Sequence, residues 1–191
     1  LLMVCLLSTR VLADGLPVNS ADSTGTFPLL AAIEIGQVEL VRQLLARGAD
    51  PEAKGRRGRT ALGLAAAGGQ IAVVRLLLAA GARVDARSDN GSTPLHEAVR
   101  FNRAAVVELL LQSAADPGAR DRDGRHPLAL AAAFGHEACL NVLLTHADDP
   151  DVPDGEGFTA LYWARLREHS GAEALLRMRG ARREFLPLGS G

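Results

Sequence analysis

The feature that most constrains this chain is a period. The segments TALGLAAAGGQ from Thr60, TPLHEAVRFNR from Thr93, HPLALAAAFGH from His126 and TALYWARLREH from Thr159 begin 33 residues apart without an insertion, and FPLLAAIEIGQ from Phe27 extends the series backwards. A second apolar segment follows: VELVRQLLARGAD from Val38, IAVVRLLLAAGAR from Ile71, AAVVELLLQSAAD from Ala104 and EACLNVLLTHADD from Glu137. Each unit then reaches a glycine, at Gly58, Gly91, Gly124 and Gly157. Self-similarity at a fixed spacing marks an array of supersecondary units, each too small to bury its own apolar face.

Residue types give the physics of one unit. Thr93-Pro94 is a helix start: a side-chain oxygen that can accept an orphan amide, then a proline where no amide bond is needed. Leu95 and Ala98 fall on one face, and the small alanine lets the neighbouring unit approach. Gly36, Gly69 and Gly135 end the first helix where a positive φ is required, and Asn102, the residue next most tolerant of it, stands at the equivalent place. The second helix presents Val73, Val74, Leu76, Leu77 and Leu78, a stripe that only stacking can bury.

At these residues the sequence resembles the ankyrin repeat. Its TPLHxAA, GH, LLL, GAD and DxxG elements stand here as Thr93-Pro94-Leu95-His96, Gly135-His136, Leu76-Leu77-Leu78, Gly48-Ala49-Asp50 and Asp121-Arg122-Asp123-Gly124. The resemblance implies an all-α solenoid of paired antiparallel helices with hairpin-like fingers along one edge. Five repeats are expected, at 27–59, 60–92, 93–125, 126–158 and 159–191. Ala114 and Ala147 replace the glycine after the second helix and His126 replaces a capping Thr, so repeats three and four are expected to be the least stable.

Composition agrees. Aromatic residues are few, while Ala, Leu and Gly abound, which favours close helix packing over a β-sandwich. With 21 basic and 22 acidic residues, no whole-chain field recruits nucleic acid or membrane. Two cysteines, Cys5 and Cys139, make no disulfide framework. No apolar run reaches the roughly 18 residues of a membrane-spanning helix.

The opening stretch LLMVCLLSTRVLADG can be read in two ways. It has the apolar core and small-residue end of an export signal but no positive start, and Arg10 stands just before the cleavage point. In the repeat register, Val11-Leu12-Ala13-Asp14-Gly15 lies under Leu44-Leu45-Ala46-Arg47-Gly48. Residues 1–26 are therefore expected to be the second helix and finger of an incomplete earlier repeat, in a piece of a longer protein. An export signal over residues 1–13 is the alternative, and with it a periplasmic or secreted location instead of the cytoplasm or nucleus.

Chemistry is sparse. There is no phosphate-binding GxxxxGK[ST] loop, no GxSxG and no HExxH. His96, His136 and His169 hold repeat positions. His126, His136, Cys139 and His146 crowd into one repeat, yet Cys139 falls where other repeats place buried Val or Leu, so packing outweighs zinc ligation. The aspartates read as turn formers. No catalytic residue, cofactor or metal is expected.

In ankyrin arrays the resemblance places partner binding on the finger tips and the concave side of the first helices. The positions before the GH element form the row Ile35, Gly68, Phe101, Phe134 and Arg167, in which adjacent exposed aromatics suit an interface hot spot. The first finger, KGRRGR, is basic through Arg56, Arg57 and Arg59; Arg87, Arg122 and Arg125 follow, and the fourth finger, DDPDVPDGE, is acidic. Such a gradient would orient an extended partner with an acidic segment over the early fingers. The expected function is a non-catalytic protein-interaction scaffold. The alternatives are a regulatory or targeting arm of a larger enzyme or signalling protein whose upstream part is missing, or a small exported bacterial ankyrin protein. Nucleic acid ranks last, because the basic finger lacks interleaved aromatics.

Overall fold

The computed structural model describes residues 17–21, 26–147 and 149–185. The helix expected over Leu1 to Leu12 lies outside them. Among the described residues there are ten α-helices in five pairs, with one short 3-10 turn at Arg56–Gly58 in the first finger. They are α1 (Pro28–Glu34) with α2 (Val38–Ala46), α3 (Ala61–Gly68) with α4 (Ile71–Ala79), α5 (Pro94–Arg100) with α6 (Ala104–Gln112), α7 (Pro127–Phe134) with α8 (Glu137–His146), and α9 (Ala160–Leu166) with α10 (Ser170–Met178). First helices pack on first helices and second on second, from each pair to the next. The all-α expectation holds: extended pairing among the described residues amounts to two isolated bridges, Lys54 with Thr60 and Phe158 with Phe185.

Columns of equivalent residues form the core. Ala32, Ala65, Ala98, Ala131 and Ala164 are each wholly buried, which is how first helices come close. Leu44, Leu77, Leu110, Leu143 and Leu176 form the matching column on the second helices, none more than 1% exposed. Cys139 takes its place in the column of Leu40, Val73, Val106 and Ala172. In the last pair a charged residue, Glu173, replaces the column of Val41, Val74, Val107 and Leu140, and it pairs with Arg177 at 3.0 Å and Arg165 at 3.8 Å.

Helix ends follow residue chemistry, with two corrections to the sequence reading. Thr60 caps α3 by accepting the Gly63 amide at 3.0 Å. Gly36, Gly69 and Gly135 take φ of 72°, 71° and 66°, with Asn102 at 54° and Glu168 at 59° in the same place. The first correction concerns His126, which is not a defective cap: its Nδ1 accepts the Ala129 amide at 3.3 Å, as a threonine oxygen would. The second concerns Ala147, which avoids the left-handed region. Without a glycine to stop it, α8 runs one residue further than its counterparts, and Ala147 is extended at φ −93°, ψ 129°. Ala114 alone of the two accepts the strained geometry, at φ 64°.

Candidate functional site

Fingers and helices are joined by bonds that recur with the period. At the GH position, Gln70 donates to the Ile33 carbonyl at 2.8 Å and Arg103 to Ala67 at 3.0 Å. His136 and His169 reach the carbonyls of Arg100 and Ala133 at 3.3 and 3.1 Å. Along the finger bases the side chains of Asn19, Glu52, Asp85 and Asp151 accept the amides of Asp50, Arg83, Asp116 and Arg182, each 31 residues ahead. Gly118 holds the intervening position and has no side chain to offer. Nearer the tips, Lys54, Arg87 and Arg120 each donate to the carbonyl of the residue 33 ahead. Asp154 and Asp121 organise their own turns, as expected of aspartates there. Asp154 accepts the Glu156 and Phe158 amides, both at 2.9 Å, and the Trp163 indole at 2.8 Å.

Two histidines are locked inside this frame. His96 Nδ1 accepts the Thr93 amide at 3.2 Å, which places the ring proton on Nε2, 3.1 Å from the Arg125 carbonyl. His126 repeats the arrangement, with Nε2 at 3.2 Å from the Val152 carbonyl. Burial pushes the pKa of both down, to about 4 for His126, against the opposing pull of the carbonyl bonds. Cys139 is buried, which pushes its thiol up to about 11, and it contacts Asn102 Oδ1 at 3.4 Å. Among the described residues no three His, Cys, Asp or Glu side chains are grouped to hold a metal.

Exposed aromatic and charged side chains meet where the early fingers face α5. Phe101 and Phe134 are 46% and 43% exposed, and Phe134 stacks on His136 with ring centres 5.6 Å apart. A cleft of about 560 Å³ brings together Arg57, Arg59, Arg122 and Phe101 from the expected set, with Glu97 and Arg100. Glu97 is 7% exposed and lies 3.8 Å from Arg59. Arg122 also borders a second cleft, of about 600 Å³, that runs on to Glu156 and Trp163.

Other expected residues stand apart from these clefts or are otherwise engaged. Ile35 is half-buried; Arg56 and Arg167 are exposed and line neither cleft. Arg87 is bonded to the carbonyls of Gly91 and Arg120, and Arg125 is paired with Asp121 and Asp123. Sequence reading missed Glu97 and Arg100. The available signal was a charge at a place where the period puts Leu64 and Leu130, or Ala67 and Ala133. It also missed an aromatic group of Phe158, Tyr162 and Phe185, with ring centres 4.1 and 5.4 Å from Phe158.

Five like pairs, contacts confined to neighbours and bonds recurring at the period define a repeat solenoid with clefts between its fingers and first helices. The family model for ankyrin repeats matches residues 29–121 and again 113–183, and the chain belongs to the ankyrin-repeat family, whose members generally serve as protein–protein interaction modules. No curated protein shows significant similarity to it. No helix among the described residues is long and apolar enough to cross a membrane.

Proposed function

We propose that this chain is a non-catalytic interaction scaffold that holds an extended protein segment in the groove between its finger tips and first helices. The observation that carries this reading is the neighbouring pair Phe101 and Phe134, exposed at the same place in adjacent repeats, with Phe101 on the wall of a cleft lined with arginines. Large aromatic surface gains much from desolvation at little entropic cost, and the adjoining charge sets orientation. Basic Arg56 and Arg57 at one end and Glu156 at the other favour a segment with its acidic part over the first fingers.

The repeat register proposed for residues 1–26 draws support from Asn19, which accepts the Asp50 amide at 2.8 Å as Glu52 accepts that of Arg83.

A photo-crosslinking amino acid placed at position 101 or 134, with position 75 on α4 as control, tests the groove in source cells. Partner crosslinks from 101 and 134 but not from 75 are expected. Equal crosslinking at all three, or none at 101 and 134, overturns the reading.

A further inference from the structure

We propose that the cleft between the early fingers and α5 receives a phosphorylated side chain of the captured segment, an inference that rests on the groove reading above. Four guanidinium groups line this cleft, from Arg57, Arg59, Arg100 and Arg122. Those of Arg57, Arg100 and Arg122 make no ion pair or hydrogen bond among the described residues, and Arg59 Nε is buried there without an acceptor.

The acids of the cleft are mostly engaged already. Glu97 is held by Arg59 and Asp123 by Arg125, which leaves Asp89. Three uncommitted cations thus face one uncommitted carboxylate, and about two negative charges would balance them. A phosphate monoester carries roughly −1.5 to −2 at pH 7 on three strong acceptor oxygens, and guanidinium forks match those oxygens in paired hydrogen bonds. A lone carboxylate supplies half that charge. The arginines come from three separate segments, the first finger, the end of α5 and the third finger, so they border one cleft instead of following an extended strand.

Arg57 adds a second mark. It has φ 59°, ψ 28°, left-handed and costly for arginine, whereas Asn90 and Asp123, its equivalents in the next fingers, are not left-handed. Such strain is concentrated at working sites. Phe101 on the cleft wall offers apolar contact to a residue beside the phosphate.

The test uses the whole chain, immobilised, and degenerate peptides in three forms. Their central residue is an equal mixture of phosphoserine, phosphothreonine and phosphotyrosine, or glutamate, or the unmodified hydroxyl residues. The phosphorylated set should be retained at least about tenfold over both others. Arg100→Gln and Arg122→Gln should each lower that retention about tenfold, and Arg75→Gln should leave it unchanged. Circular dichroism melts establish that the variants fold, and the exposed Arg122 provides a test should Arg100→Gln fail to fold. Equal retention of the glutamate set overturns the phosphate proposal while leaving an acidic partner in the groove. Retention indifferent to Arg100 and Arg122, or no retention, also overturns it. The groove reading itself falls only if the crosslinks at positions 101 and 134 fail as well.

Discussion

The guanidinium of Arg87 donates to the carbonyl of Arg120, 33 residues ahead, at 2.6 Å. Lys54 does the same to Arg87 at 2.9 Å and Arg120 to Pro153 at 2.7 Å, so the cations of successive fingers link to one another through backbone oxygens. The basic charge of the fingers is therefore partly structural.

Removing one link should be felt as stability. Arg87→Met keeps much of the stem but loses the donor to both the Arg120 and Gly91 carbonyls, and should cost about 2 kcal/mol, the net worth of two exposed bonds. Arg87→Lys should recover most of it, since Lys54 makes this contact in the preceding finger. Urea denaturation of the two variants checks this, and equal losses from both would refute the donor role.

Backbone strain gives a prediction of opposite sign. Ala114 holds φ 64° where Gly48, Gly81 and Gly180 hold 84°, 90° and 95°. Ala114→Gly should raise stability by about 1 kcal/mol, and an unchanged urea midpoint would count against it. Gly124→Ala should do harm, because a Cβ there would stand 2.6 Å from the Gly155 Cα with φ at +73°. Backbone cannot yield as a flexible side chain does.

The two buried histidines make stability depend on pH. His126 faces Arg120, Asp154 and His96, and His96 faces Asp121, Arg87 and Arg100. An unfolded histidine binds its proton near 6.5 and folded His126 only near 4. Between these values the unfolded state holds more protons, so the contribution is complete above about 6.5 and is lost as pH falls towards 4. The amount is on the order of 3 kcal/mol for His126. His126→Thr keeps a capping oxygen and removes the titration, so its urea midpoint should fall less steeply than the parent's between pH 6.5 and 4. Parallel profiles would show that His126 does not titrate with folding.

Gly118 interrupts the row of side-chain acceptors formed by Asn19, Glu52, Asp85 and Asp151. Gly118→Asn should supply an acceptor for the Asp149 amide and gain about 1 kcal/mol. A Cβ there meets only Asp116 Oδ1, at 3.3 Å. Hydrogen exchange at Asp149 should slow in the variant, and an unprotected amide there would show that the bond does not form.

The architecture was legible in sequence because constant spacing carries it. Thr60, Thr93 and Thr159 start their helices, and Gly36, Gly69, Asn102 and Gly135 take the positive φ expected of them. Phe101 and Phe134 are exposed where the row placed them. Less legible was whatever depends on the neighbour across a junction. The capping role of His126 needs the Val152 carbonyl opposite, Arg87 is committed only because Arg120 lies in reach, and Glu97 and Arg100 matter through the fingers that face them. Ala147 shows a different limit: whether a missing glycine is tolerated or avoided depends on the freedom of the next loop, which residue type does not reveal.

Bonds that each span a single junction place the repeats in mechanical series. Pulled at its ends, the molecule would transmit load through every finger contact in turn and yield one unit at a time. Each event would release 33 residues, or roughly 110 Å of extended chain. The first break is expected across the third and fourth fingers, where Gly118 leaves one rung unmade, so a single glycine sets where this spring begins to open.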